Sequence, residues 1–307
     1  MTATPPPAAT EKLPGQRDVE APGIEGTPPR QKRGRNLFAG VAVLILCLLW
    51  VIPTVGLLVS SFRPEAAVKT SGWWTAIANP LEFTLQNYSE VLSEGMADAF
   101  LNSFLVAIPA TVMPIFAAAF AAYAFSWMRF PGREFLFVVL IGLLVVPLQV
   151  AFIPLLRIYG NLNLVGTFPA VWLAHTGFGM PLAVYLLRNY MGTMPREVIE
   201  SAQVDGASHF QIFWKLMIPL SMPVLAAFAI LQFMWVWNDL LIALIFLGSV
   251  GDNQVVTLFL NNLVGSRGQD WHLLTAGGFV TMFVPLLVFF LLQRYFVRGL
   301  TAGSVKG

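Results

Sequence analysis

Long apolar runs alternate with short polar connectors along most of this chain. The runs fall at about residues 37–62, 100–127, 135–156, 168–190, 218–247 and 273–296. An α-helix rises about 1.5 Å per residue, so roughly 20 apolar residues cross a hydrocarbon core about 30 Å thick. Each run is long enough, and the pattern predicts an all-α membrane protein with about six transmembrane helices. Several runs carry an internal proline (Pro53, Pro109, Pro114, Pro147, Pro181, Pro223, Pro285). Neighbouring helices satisfy the freed carbonyls in such spans.

Composition agrees with the pattern. The chain is 57% hydrophobic and 11% charged, whereas a soluble domain carries about 25% charged residues. Residues 1–36 are rich in Pro, Ala, Gly, Glu and Thr and cannot bury enough surface to offset their ordering entropy. They are expected to be a disordered tail. The remaining divisions are a first span at 37–62, an extracytoplasmic loop at 63–99, a core at 100–299 and a tail at 300–307. The basic residues are dispersed and not interleaved with aromatics, so nucleic acid is not an expected partner, but the lipid bilayer is. The single cysteine, Cys47, lies in an apolar run, which excludes an internal disulfide and reads as packing.

Charge sets the orientation. With the N-terminus inside, Arg30, Lys32, Arg33, Arg35, Arg129, Arg133, Arg188, Arg196, Lys215, Arg294, Arg298 and Lys306 fall on the cytoplasmic side. Only Arg63, Lys69, Arg157 and Arg267 fall outside. The positive-inside rule places both termini in the cytoplasm. Trp73, Trp74, Phe83 and Tyr88 in the first outer loop suit an interfacial belt.

The polar island at residues 195–219 is the most informative connector. Pro195 opens a short helix, because its missing N–H has no partner at a first helical position. Gly206 can take positive φ and close it. Ser208 and Gln211 form a capping box that starts a second helix. Val198, Ile199, Phe210, Phe213 and Trp214 give the element an apolar face. These features predict helix, glycine bend, helix, lying outside the membrane and leading into the fifth run.

Other chemistry is missing. None of Lys12, Lys32, Lys69, Lys215 and Lys306 lies in a phosphate-binding Gly-x-x-x-x-Gly-Lys pattern. His175, His209 and His272 are far apart without metal-ligand spacing and read as solvated or interfacial. The fifth run holds a polar stripe. On an unbroken helix Gln232, Trp235 and Asp239 share one face, with Asn238 close beside it. Such a face lines a translocation path or bonds another helix. Gln149 and Asn102 are further candidates of the same kind.

The island resembles the EAA loop of importer-type ABC permeases, with Glu200, Ala202, Gly206 and Pro219 at matching positions. Ser201, Leu216 and Ile218 depart from that pattern by small or volume-conserving changes. Trp237-Asn238-Asp239 resembles a motif of sugar-type permeases. Pro147, Gln149 and Pro154 resemble their third span, and residues 293–307 resemble the C-terminus of maltose-type subunits. Segments around Ser60, Trp73 and Arg267 are similar to α-glucoside permeases. The resemblance implies a MetI-like importer permease fold with a cytoplasmic coupling helix, in a bacterial or archaeal cell membrane. It makes Glu200, Ala202, Asp205, Gly206, Ala207, Phe210 and Pro219 the ATPase-coupling residues, and Gly303, Ser304, Val305 and Lys306 a tail reaching the ATPase. It implies a second permease, two ATPase subunits and an extracytoplasmic sugar-binding protein. No cofactor is expected on this chain, with ATP and magnesium on the ATPase. A permease for a peptide or polyamine is the alternative; an ion-coupled transporter is disfavoured by the scarcity of intramembrane charge.

Overall fold

The computed structural model describes residues 33–78, 82–249, 251–264 and 270–301, without the side chains of 33–36, 77 and 294–301. The expected N-terminal tail up to residue 32, and Gly303, Ser304, Val305 and Lys306, lie outside the described residues. The described residues are helical or irregular, with no strand among them. The chain divides into two units at Val51 and Ile52. Helix α1 (Arg33–Ser61) supplies the described part of the first unit and enters the second.

The second unit is built around α4 (Ala97–Trp127), which packs along α7 (Phe168–Met191). Small residues permit this approach: Ala107, Ala110, Ala118 and Ala122 on α4, and Ala170 and Ala183 on α7, are fully buried. Close backbone approach is how helices gain van der Waals energy in a medium as apolar as their side chains.

Two of the six expected spans are broken. The third run forms α5 (Arg133–Leu143) and α6 (Leu148–Asn161), inclined at 100°. In a continuous helix the Pro147 ring would meet the carbonyl of Leu143, where α5 stops. The fifth run begins as α10 (Ile218–Leu220) and turns at Ser221 into α11 (Met222–Trp237). The bend between His209–Leu220 and Met222–Trp237 is 72°. Pro223, with the same demand on the carbonyl of Pro219, sits in the first turn of α11. After a second break come α12 (Leu241–Phe246), α13 (Val256–Val264) and α14 (Trp271–Thr301). Four helices are long enough to span alone, and the two bent pairs raise the number to six.

The connector after α1 is ordered by a buried cation. Arg63 is 2% exposed and donates to the carbonyls of Ala67 and Ser71 at 3.0 and 3.1 Å, at the end of α2 (Glu65–Thr70). Asn87, in α3 (Gln86–Val91), donates to the carbonyls of Ser61 and Arg63. Trp73 packs on Gly56, and Tyr88 meets Ser61 Oγ at 2.7 Å. Of the four aromatics expected in a belt, only Trp74 and Phe83 are exposed.

The histidine and cysteine readings also change. His175 and His272 are buried among helices; His209 alone is exposed. Cys47 is exposed, where an apolar thiol suits hydrocarbon.

Candidate functional site

Helix α8 (Arg196–Val204) begins one residue after Pro195 and ends at a turn in which Gly206 has φ +82°. The Gly206 N–H reaches the Gln203 carbonyl, and the Ala207 N–H reaches that of Ala202 at 3.0 Å. These bonds satisfy carbonyls that a helix end otherwise leaves open. The capping box is present: Gln211 N–H donates to Ser208 Oγ, and Ser208 N–H to Gln211 Oε1. Helix α9 (His209–Ile212) then runs through a π-helical turn at Phe213–Met217 into α10.

The inner face of this element is bound to the bundle. Ile199, Ile212, Phe213 and Met217 are buried in a cluster with Ala118, Ala122 and Tyr123 of α4 and Val184 and Leu187 of α7. Phe213 stacks on Phe120 at 4.4 Å between ring centroids. Tyr123 Oη lies 2.9 Å from His209 Nδ1. The outer face remains apolar: Val204 is 87% exposed and Phe210 65%, with Val198 and Trp214 also exposed. Glu200, Asp205 and Pro219 are exposed, whereas Ala202 and Ala207 are partly buried against the bundle cluster. The element is therefore anchored on one side and presents large apolar groups on the other, the property of an interaction surface.

The polar stripe is not carried by one unbroken helix, although Gln232, Trp235 and Asp239 all meet His175 of α7. Helix α11 ends at Trp237. Asn238 Nδ2 donates to the Met234 carbonyl at 2.7 Å, and Asp239 Oδ2 caps α12 by accepting from the N–H groups of Ile242 and Ala243 at 2.8 and 3.2 Å. Both side chains supply local backbone partners, which favours the break. Asp239 thus lies beyond the end of α11. Gln232 is also not on an open path in this structure. It is buried, and its Nε2 reaches the carbonyls of Ala110 on α4 and His175 on α7 at 3.2 and 3.3 Å. It is an interhelical clamp, as an amide in a bundle often is.

Trp235 is half-buried, edge-on to His175 with centroids 5.2 Å apart. Asn238 and Gln149 are exposed. Asn102 is half-buried and donates to the carbonyls of Asp252 and Gln254, holding the N-terminal end of α4 to the connector before α13. His175 Nε2 lies 3.8 Å from Asp239 Oδ2. Sequence reasoning missed both His175 and Tyr123, whose partners are distant in the chain. The described residues contain no cluster of metal-ligating side chains.

Residues 98–302 match the family described as "Binding-protein-dependent transport system inner membrane component". The chain belongs to this family and is a multi-pass membrane permease with the fold of ABC importers, as the resemblance implied. "Osmoprotective compounds uptake permease protein GgtD" of Synechocystis sp. is 60% identical over 270 residues, covering 87% of this chain and 91% of that protein. "Alpha-glucoside transport system permease protein AglG" of Rhizobium meliloti is 44% identical, covering 87% and 96%. A crystal structure of a bacterial ABC transporter "involved in the import of the acidic polysaccharide alginate" aligns with a TM-score of 0.69 at 20% identity, over 87% of this chain and 99% of that one.

Proposed function

We propose that this chain is one of two permease subunits of an ATP-driven carbohydrate importer in the bacterial or archaeal inner membrane, with both termini cytoplasmic. The observation that carries the reading is the two-sided element at residues 195–219, fixed to α4 and α7 within and apolar without. Its outer face docks a separate ATPase, with Glu200, Ala202, Asp205, Gly206, Ala207, Phe210 and Pro219 as the coupling residues. ATP and magnesium bind to that ATPase and not to this chain. Gly303, Ser304, Val305 and Lys306 extend this contact. An extracytoplasmic binding protein delivers the solute to the opposite end.

The names of the two relatives, one for osmoprotective compounds and one for α-glucosides, are compatible with one solute chemistry: a small, neutral, hydroxyl-rich glycoside. Trp235, Asn238 and Gln149 are the path groups proposed for it. An aromatic face and neutral amides suit hydroxyl-bearing rings better than ions.

The test is uptake by the reconstituted complex of both permeases, the ATPase and the binding protein, against radiolabelled neutral glycosides, osmoprotectants, peptides and polyamines. ATP-dependent accumulation of a glycoside is expected. Uptake that persists without ATP while an ion gradient is held, or a preference for peptide or polyamine, would overturn the reading.

A further inference from the structure

An open cleft of about 1030 Å³ separates the turn between α4 and α5 from the coupling element. Trp127, Arg129 and Arg133 line one side, and Arg196, Glu200 and His209 the other. Arg133 is already committed: Nε and Nη2 bond Glu134 at 3.0 and 2.7 Å, and Nη1 bonds the Met128 carbonyl. Among the described residues Arg129 and Arg196 have neither ion-pair nor hydrogen-bond partners. Against these two free cations the cleft holds one free carboxylate, Glu200, so it is net positive.

The cleft sits where the apolar part of α4 stops. Trp127 Nε1 donates to the Met191 carbonyl there, the placement of an interfacial indole. Helix α5 leaves the same cleft at Arg133 and carries an exposed apolar wall of Phe135, Leu136, Val138 and Val139. A cationic cleft continuous with an apolar wall at a membrane boundary matches an amphiphile with an anionic head. A soluble anion would use the arginines and leave the wall unused.

We propose that this cleft binds the head group of an anionic phospholipid, with the phosphodiester between Arg129 and Arg196 and the acyl chains along α5. Guanidinium groups bind phosphate oxygens through charge-assisted, paired hydrogen bonds, and basic pockets between spans at the cytoplasmic face bind anionic head groups. Arg129 stands on the α4–α5 turn and Arg196 on α8. One head group therefore ties the coupling element to the membrane surface and braces the outer face that α8 presents. The choice of leaflet rests on the orientation proposed above, but the binding does not.

The test uses the assembled complex in nanodiscs of phosphatidylcholine with or without phosphatidylglycerol, with retained lipid read by native mass spectrometry. Wild type should retain phosphatidylglycerol selectively. The double variant Arg129→Gln/Arg196→Gln should lose that retention by at least about tenfold, since each cation near a surface contributes on the order of a few-fold. Arg129→Lys/Arg196→Lys should restore part of it. Glycerol 1-phosphate in solution should not displace the lipid. Equal retention by wild type and the glutamine variant would overturn the proposal, and so would displacement by glycerol 1-phosphate. A glutamine variant that sheds the ATPase in phosphatidylcholine alone would assign the cleft to a subunit contact instead. Lipid retention is read without transport, so its failure leaves the importer reading standing.

Discussion

The amide of Gln232 occupies the space that a side chain at position 179 would need: a Cβ on Gly179 would lie 2.6 Å from Gln232 Oε1. Because Gln232 Nε2 is held by carbonyls of α4 and α7, the amide cannot retreat without losing those bonds. Gly179→Ala should therefore destabilise the bundle by about 1–3 kcal/mol, the usual range for overpacking. Gln232→Ala in the same chain should restore part of the loss. Thermal unfolding of the purified complex in a double-mutant cycle checks this, and strictly additive effects would contradict it.

A Cβ on Gly206 would meet no atom within 4 Å, so space is not the constraint at this position; its φ of +82° is. Gly206→Val puts a β-branched residue in the left-handed region, where non-glycine residues are strained by about 1–2 kcal/mol or more. Uptake should fall to background and ATPase binding should weaken, with membrane insertion unchanged. Gly206→Asn, which tolerates that region, should retain part of both. Normal uptake by the valine variant is the contrary outcome.

The Tyr123–His209 hydrogen bond is a polar tie between α4 and the coupling element. Tyr123→Phe should cost about 0.5–1.5 kcal/mol of local stability. The ratio of solute imported to ATP hydrolysed is the quantity to measure, and it should fall while the complex stays assembled. An unchanged ratio would leave transmission to the stacked Phe120–Phe213 pair.

Asp239 caps α12 through Oδ2, and Asn caps about as well as Asp whereas Ala does not. Asp239→Asn should keep expression and most of the stability. Asp239→Ala should lose about 0.5–2 kcal/mol. Thermal unfolding of both variants separates the cap from the charge, and equal losses would show that the charge dominates.

Trp235 of α11 and Asn238 just beyond its end remain the groups open to a path. After replacement of Cys47 by Ser, a cysteine at Asn238 should react with a membrane-impermeant thiol reagent, and its rate should change when ATP hydrolysis is blocked. Trp235→Cys should react more slowly, because the half-buried Trp235 packs against His175. No reaction at either position in any state would move the path to other helices.

The coupling element was legible in the sequence because its determinants are local. Pro195, Gly206 and the Ser208–Gln211 box act within a few residues of themselves. The spans were legible as apolar lengths, but their continuity was not. Asn238 and Asp239 interrupt the apolar run at 218–247, but whether the helix breaks there depends on where their side chains find partners. The polar stripe is divided by that break, although its three members still meet at His175. Burial of His175 and the clamp at Gln232 depend on α4 and α7, which approach along alanines far away in the chain. No local pattern announces such contacts.

The break after Trp237 also bears on what completes the fifth crossing. Helix α11 has 16 residues, about 24 Å of rise, short of a hydrocarbon core about 30 Å thick. Helix α12 adds six residues and is held by its own cap, by burial of Ile242, Ala243 and Phe246, and by Thr257 Oγ1 donating to the Asp239 carbonyl. The bent pair His209–Leu220 and Met222–Trp237 is together long and apolar enough for one span, and α12 is joined to it by tertiary contacts. The stretch beyond the break is held as tertiary structure, by the buried face of α12 and by Thr257 of α13. Asp239 is the latch of that junction, its Oδ2 accepting from α12 and its carbonyl accepting from Thr257 of α13.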